Sequence, residues 1–385
     1  NEQQLGLEPS ESSVAVQVFE SWAERQRAFL GQPGVAVGVV LGDDWVVGGG
    51  FGDRIAGAEH DEGAVTSDTI FRLGSVSKTF TAFATLLVRD DGELRLDDPL
   101  SKHVPWFRIK ATSLGGSDDI TVWHLLTHTS GLPREAPLPY WTDRKFPDRS
   151  TLQQIAPEIE LLFEPGANYQ YTNLGISLLG AVVEAASGVP YERFVEQRIY
   201  QPLGMESSSV SNEDIDQSRL AAGYLLPDAG SDRVPVAPDT RAEAITPAAN
   251  LSSTVRDLTA YLRAQFPGRA AGPLSARTLR EMQRAHWLSG SWRSARGLGF
   301  GLWRHGERTL VGHGGWVAGH RSQIAFDPSA EVGVVVLTSS DQGGPSSYTD
   351  QLFDYLVPIL EEDRVARDAG APKTELDVYV GRYRD

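Results

Sequence analysis

The chain has 385 residues, 41% of them hydrophobic, which is enough apolar content for a large core and two or three domains. Its 51 acidic and 35 basic residues give a net charge of −16, which disfavours a nucleic-acid partner because phosphate contact needs clustered positive charge. It has no cysteine, so disulfides, thiolate metal sites and a cysteine nucleophile are excluded. No apolar run reaches the roughly 18 residues of a membrane span. Because the chain starts at Asn1, we expect a processed, secreted or periplasmic protein.

Strand patterns lie at both ends of the chain, and helical patterns lie mostly between them. The first elements are an amphipathic helix over 14–30 and a hairpin of strands 35–41 and 45–51 around Gly42-Asp43-Asp44. Further helices are predicted over 151–162, 174–187, 191–200, 254–265 and 348–360, and further strands over 309–311, 322–326 and 332–338. Residues 227–247 are rich in proline and predict a long surface loop.

These elements predict an α/β fold with one antiparallel sheet built from both chain ends, flanked by helices, and a mostly helical insertion. We assign residues 14–90 and 300–362 to the α/β domain and residues 91–299 to the helical domain. A cleft between two such parts is where ligand sites usually form. Residues 363–385 fit two interpretations: a linker with the first strand of a further module, or a tail that packs on the main body.

A serine and a lysine, Ser75 and Lys78, lie three residues apart at the start of a helical pattern with apolar residues at Phe80 and Phe83. Positions i and i+3 share a helix face, so the lysine amine lies close to the serine hydroxyl. A buried lysine with a lowered pKa can act as the base that a serine nucleophile needs. The alternative is a helix N-terminus with a capping serine and an exposed lysine.

A second polar pair, Tyr171 and Asn173, follows a Pro165-Gly166 turn and precedes a helical pattern. In an extended segment these two side chains point to the same side, where a phenol relays protons and an amide bonds a lysine or a substrate carbonyl. The alternative is a core tyrosine and an asparagine that caps the next helix.

A glycine-rich stretch, Gly312-His313-Gly314-Gly315-Trp316, directly follows a strand pattern. Glycines let a substrate lie against the backbone like an added strand, and the Trp316 amide can face a developing oxyanion together with the Ser75 amide. We expect His313 to hydrogen-bond the tyrosine hydroxyl. The alternative is a glycine-rich turn with a solvated histidine.

Together the three stretches resemble the motifs of the serine β-lactamase and penicillin-binding-protein superfamily. The flanks 124–132, 163–166 and 201–205 resemble its class C branch, which also holds D,D-carboxypeptidases, D-amino-acid peptidases and carboxylesterases. The resemblance spans about residues 20–360. It implies that Ser75 is the nucleophile, Lys78 the base or its partner and Tyr171 the proton relay. It also implies that Asn173 orients Lys78 and substrate, and that the further module is a β-barrel.

One motif departs from the class C β-lactamases, which have Lys-Thr-Gly where this chain has His313-Gly314-Gly315. A mostly neutral histidine and a glycine hold a substrate carboxylate less well than lysine and threonine. We therefore expect a carboxylesterase or D-amino-acid peptidase acting on a small ester or amide. A β-lactamase or D,D-carboxypeptidase is the alternative, and a sensor that is acylated without turnover is a third possibility. Trp316, with Trp141 and Tyr140, is expected to form an aromatic pocket.

We expect no metal and no cofactor. His124 and His128 have metal-ligand spacing, but Leu125 stands where a zinc protease has glutamate, so a core or loop-anchoring role is favoured. The sequence contains no Gly-x-Ser-x-Gly stretch, which argues against an α/β-hydrolase.

Overall fold

The computed structural model describes residues 11–57, 63–211, 213–225, 234–236, 242–268 and 272–368. The strands are β1 (Gly34–Leu41), β2 (Asp44–Gly52), β3 (Phe71–Arg72), β4 (Gly223–Leu225), β5 (Val234–Val236), β6 (Ser252–Ser253), β7 (Trp287–Leu288), β8 (Ser294–Arg296), β9 (Gly301–His305), β10 (Arg308–Val317), β11 (His320–Asp327) and β12 (Val332–Thr338).

Helices cover both faces of the main sheet. They are α1 (Glu11–Phe29), α2 (Ser77–Asp90), α3 (Leu100–His103), α4 (Val122–Leu126), α5 (Tyr140–Asp143), α6 (Arg149–Ile155), α7 (Asn173–Ser187), α8 (Tyr191–Val195), α9 (Gln201–Leu203), α10 (Thr246–Ala249), α11 (Val255–Arg263), α12 (Ala276–Gln283), α13 (Pro345–Gln351) and α14 (Val357–Asp368). Single 3-10 or π turns, such as Glu196–Tyr200 and Leu352–Leu356, connect several of them.

The main sheet joins the two ends of the chain. Its order is β2-β1-β12-β11-β10-β9-β8-β7, and each neighbouring pair is antiparallel. In the central pairing, β1 and β12 run from Val35 opposite Thr338 to Leu41 opposite Val332. The predicted fold class is therefore confirmed. Strands β7 and β8 also belong to this sheet. The part of the sheet that comes from the C-terminal half of the chain therefore begins before residue 300.

Strand β12 is buried on both faces, which explains its unbroken apolar sequence. Val332, Val334 and Val336 pack under the terminal helices with Phe19 and Phe353. Val335 and Leu337 face the opposite way, into the larger core that holds α2 and α7. The sheet thus separates a layer of terminal helices from the helical part of the chain.

Helix α2 is buried on all sides, although its apolar pattern predicted a single buried face. Every residue from Ser77 to Val88 is buried, because the sheet and the helical part enclose the helix. Its hydroxyl groups are satisfied locally or across the core: Ser77 Oγ donates to the Gly74 carbonyl at 2.6 Å, and Thr81 Oγ1 donates to the Pro247 carbonyl at 2.6 Å.

Two predicted boundaries differ from the structure. The helix expected over 151–162 ends at Ile155 and continues as a 3-10 turn around Pro157. In the proline-rich segment 227–247, residues 234–236 form a strand and residues 242–247 enter the core, so the prediction of a surface loop is wrong there. Of the predicted tail, residues 363–368 belong to α14, and residues 369–385 lie outside the described residues.

Candidate active site

Ser75 lies in a 3-10 turn, Gly74–Val76, that leads directly into α2. Gly74 has a φ of +51°, and a Cβ atom there would lie 2.5 Å from the carbonyl oxygen of Trp316. Only glycine accommodates this contact without strain. The close approach places the backbone of β10 against the nucleophile turn.

Lys78 is fully buried one turn beyond Ser75. Its Nζ lies 3.0 Å from Ser75 Oγ and donates to the carbonyl oxygen of Ala248 at 2.8 Å. Burial lowers the pKa of Lys78 well below its usual value; Glu135 opposes this shift and Arg134 adds to it. The amine thus lies between the Ser75 hydroxyl and the Ala248 carbonyl, within the distance at which a deprotonated lysine can accept the serine proton.

Tyr171 lies against the same lysine. Its ring centroid is 4.9 Å from Lys78 Nζ and 5.1 Å from Arg134 Cζ. Burial raises the pKa of Tyr171, while a hydrogen bond with Ser75 and the nearby arginines act in the opposite direction. The phenol is therefore protonated in the resting site, which suits a proton donor.

Asn173 does not hold Lys78 as expected. Its Nδ2 donates to Glu135, and its Oδ1 is buried without a hydrogen-bond partner among the described residues. The position that the resemblance assigns to this amide beside the lysine is taken by the Ala248 carbonyl. Because a carboxylate only accepts, Glu135 fixes the orientation of the amide.

His313 also differs from expectation. Its Nδ1 donates to the carbonyl oxygen of Gly314 at 2.6 Å, which leaves Nε2 as the unprotonated nitrogen. It meets Tyr171 through a ring contact, with centroids 6.1 Å apart, rather than through the predicted hydrogen bond to the hydroxyl. Desolvation lowers the pKa of His313 to about 3, so the imidazole is neutral.

The two glycines of this strand have different environments. A Cβ at Gly315 would lie 1.9 Å from the Leu73 carbonyl oxygen, so this position must be glycine for β10 to contact the nucleophile turn. At Gly314 the nearest atom would be 3.9 Å away, and the backbone there is open for a substrate.

The cleft in front of Ser75 has a volume of about 700 Å³ and is lined by Tyr171, His313, Gly314 and Trp316. The structure thus brings together every predicted catalytic and oxyanion residue, although Asn173 lies behind the cleft wall.

Three arginines, Arg134, Arg296 and Arg321, also line this cleft. The sequence analysis missed Arg134 and Arg296, whereas Arg321, a few residues beyond the motif at His313, is a candidate anion contact on sequence alone. Arg321 donates to the Asp341 carbonyl oxygen at 2.7 Å, and Arg134 lies 3.5 Å from Glu135. Arg296 packs over Tyr169 at 4.8 Å and has no ion-pair partner among the described residues. The local sequence signal for Arg134 is its position beside Glu135, directly after the turn at Gly131-Leu132-Pro133.

The histidines with metal-ligand spacing anchor loops. His124 Nδ1 accepts the Thr121 N–H in a capping box, and His128 Nδ1 accepts the Thr172 N–H at 3.1 Å. The described ranges contain no group of three or more histidine, aspartate and glutamate side chains that could hold a metal ion.

Within the same ranges, no single helix is long and apolar enough to span a membrane. Helices 173–187 and 191–203 pass such a test only as a pair bent by 78°, on length and composition alone.

The family model described as Beta-lactamase matches residues 19–356, so the chain belongs to this family. Among curated relatives, Beta-lactamase-like protein 2 of Dictyostelium discoideum is 29% identical over 77% of this chain and 54% of its own length. Protein flp of Staphylococcus aureus (strain NCTC 8325 / PS 47) is 27% identical over 75% of this chain and 55% of its own. The chain thus spans about half the length of these relatives.

Similar solved structures share the β-lactamase/transpeptidase fold. The octameric penicillin-binding protein homologue from Pyrococcus abyssi has a TM-score of 0.76 at 28% identity and covers 93% of this chain and 78% of its own. D-amino acid amidase from Ochrobactrum anthropi SV3, complexed with L-phenylalanine amide, has a TM-score of 0.73 at 25% identity, covering 92% and 100%. The D-stereospecific amidohydrolase from Streptomyces sp. has a TM-score of 0.71 at 25% identity, covering 88% and 97%.

Proposed function

We propose that this protein is a serine hydrolase that turns over small esters or amides through an acyl-enzyme on Ser75. The observation that carries the proposal is the fully buried Lys78, whose Nζ lies 3.0 Å from Ser75 Oγ and whose pKa burial lowers. A neutral amine at hydrogen-bond distance from a serine hydroxyl is the arrangement that activates this nucleophile.

In the acylation step, Ser75 Oγ attacks the substrate carbonyl carbon and its proton passes to Lys78 Nζ. The carbonyl oxygen becomes an oxyanion that accepts hydrogen bonds from the backbone N–H groups of Ser75 and Trp316. The protonated Tyr171 gives its proton to the leaving alcohol or amine as the carbonyl bond to it breaks, and Lys78 returns a proton to the phenol. Water then attacks the acyl carbon and gives a proton to the same pair; the bond to Ser75 Oγ breaks, Ser75 takes that proton back, and the acid is released.

A carboxylesterase or D-amino-acid peptidase type of activity is the favoured specificity. His313 is neutral and Gly314 has no side chain, so this strand lacks the charged lysine and the hydroxyl that the class C β-lactamases use. The likeness to a D-amino acid amidase and a D-stereospecific amidohydrolase supports substrates built on amino acids.

A second candidate, a D,D-carboxypeptidase or β-lactamase activity, is favoured by the three arginines in the cleft. Arg296 in particular is unpaired among the described residues and matches the geometry of a carboxylate. A substrate with an anionic leaving group would be held through this side chain instead of through β10.

The test is steady-state turnover of p-nitrophenyl acetate, D-alanine amide, a D-alanyl-D-alanine peptide and benzylpenicillin, together with intact-mass analysis of the protein after each incubation. We expect the best neutral ester to have a higher kcat/KM than benzylpenicillin. If benzylpenicillin matches or exceeds it, the second candidate replaces the first. An acyl mass on Ser75 that persists without turnover would make the protein a sensor, and absence of both turnover and any adduct in wild type would refute the proposed function.

A further inference from the structure

An aromatic wall borders the nucleophile on one side of the cleft. It consists of Trp316, Trp141, Phe146 and Tyr140. The Trp316 and Trp141 ring centroids lie 6.4 Å apart, and Trp141 meets Phe146 edge-on at 5.3 Å. Trp316 lines the cleft and its side chain is 44% exposed, whereas Tyr140 is fully buried beneath the others.

This wall is fixed relative to the catalytic residues. Tyr140 Oη donates to Glu135 at 2.5 Å, and the same carboxylate holds the amide of Asn173. At the other end, the backbone of Trp316 packs directly on Gly74, beside the nucleophile. An exposed ring with both anchors held in this way forms a preorganised binding surface, not a mobile surface side chain.

The position of Trp316 determines which part of a substrate meets the ring. In the proposed mechanism the substrate carbonyl oxygen accepts hydrogen bonds from the backbone N–H groups of Ser75 and Trp316, so the acyl carbon lies against the Trp316 backbone, which packs on the turn that carries Ser75. The substituent on the acyl carbon is therefore the group nearest the Trp316 side chain.

The charges in the cleft decide what chemistry the ring prefers. A tryptophan face attracts a cation as well as another ring. Here Arg134, Arg296 and Arg321 line the same cleft, so a cationic acyl group, such as that of a free D-amino-acid amide, would be repelled, and the inference applies to the esterase form of the proposed function. The substrate group that best fits the Trp316 ring is therefore a neutral, flat one.

We propose that Trp316, positioned by Trp141, is the specificity-determining residue for the acyl group and selects substrates whose acyl carbon carries a neutral aromatic ring. This inference rests on the proposed acyl-enzyme function and names the acyl half of its substrate.

The test uses three p-nitrophenyl esters with the same leaving group: acetate, cyclohexylacetate and phenylacetate. Stacking of an aromatic ring on Trp316 adds binding free energy beyond that of the buried apolar area, which a cyclohexyl ring also supplies. We therefore expect kcat/KM to rise in that order, with phenylacetate at least about tenfold above acetate. The phenylacetate-to-acetate ratio is the readout, because general damage to catalysis affects both substrates and cancels.

Trp316→Ala should reduce this ratio about fivefold to tenfold, Trp316→Phe should retain most of it, and Trp141→Ala should reduce it to a lesser degree. Trp292→Ala serves as the matched control, because Trp292 is 78% exposed and lies outside the cleft lining; its ratio should equal that of wild type. Equal turnover of acetate and phenylacetate by wild type, or an unchanged ratio in both Trp316 variants, would overturn the proposal while the esterase activity stands. Failure of every ester to acylate Ser75 would refute the proposed function and this inference with it.

Discussion

Two sets of side chains around the cleft, the pair Lys78 and Tyr171 and the arginines of the lining, differ in burial and in charge. On the side of α2, Lys78 is fully buried and Tyr171 is half-buried; burial lowers the pKa of the lysine and raises that of the tyrosine, which in each case favours the uncharged form. Two arginines, Arg134 and Arg296, line the same cleft; Arg134 lies over the Tyr171 ring and has 63% of its side chain exposed. The difference separates two tasks: proton transfer needs dry, neutral groups, and recognition of a substrate uses charges that water still reaches.

The largest effect on turnover is expected at Ser75, beside the buried Lys78. Ser75→Ala should abolish turnover of the best ester, a loss on the order of 10³-fold or more, with the fold intact. Circular dichroism and thermal unfolding give the structural control, and Ser67→Ala is the matched serine variant. A Ser75→Ala protein that keeps most of its activity would remove Ser75 from the mechanism.

Next in size are Lys78→Ala and Tyr171→Phe, which should each cost nearly as much as the double variant, since groups that transfer one proton act jointly. Losses that simply multiply in the double variant would argue against a shared role.

Lys78 also predicts a pH profile. Because its pKa is well below the usual range, kcat/KM should be level at neutral pH and decline only in acid, as the amine becomes protonated. A profile that rises continuously toward the ordinary pKa of lysine would contradict the assignment of Lys78 as the neutral base.

Glu135 contacts Arg134, Asn173 and Tyr140. Glu135→Gln should reduce kcat about tenfold, because the charge-assisted hydrogen bond that orients Asn173 is lost. Glu135 also raises the pKa of Lys78, so its removal should move the acid limb of the pH profile to lower pH. Glu160→Gln, which breaks an exposed pair with Lys110, is the control. An unchanged acid limb would exclude electrostatic coupling between Glu135 and Lys78.

The smallest and most selective effect is expected at Arg296. Arg296→Gln should raise KM for a D-alanyl-D-alanine peptide or benzylpenicillin roughly tenfold and leave neutral esters within about twofold. Arg304→Gln, on the neighbouring strand and outside the cleft lining, is the matched arginine control. Equal effects on anionic and neutral substrates would show that Arg296 supports the cleft without recognising a carboxylate.

The sequence by itself determined the features that depend on local spacing. The pairing of Ser75 with Lys78 follows from positions i and i+3 of one helix, and the sheet built from both ends follows from strand patterns at the two termini. The three motif positions were also readable, because each lies within a few residues of its own signal.

Only the tertiary structure decided which groups surround these motifs. The Ala248 carbonyl that holds Lys78 is 170 residues away in the chain, and the Glu135 carboxylate that holds Asn173 is 38 residues away. Arg296 reaches the cleft because β8 extends the main sheet beside β9 and β10. Such contacts leave no periodic or motif signal, since they arise from packing between elements and not from the geometry of any one of them.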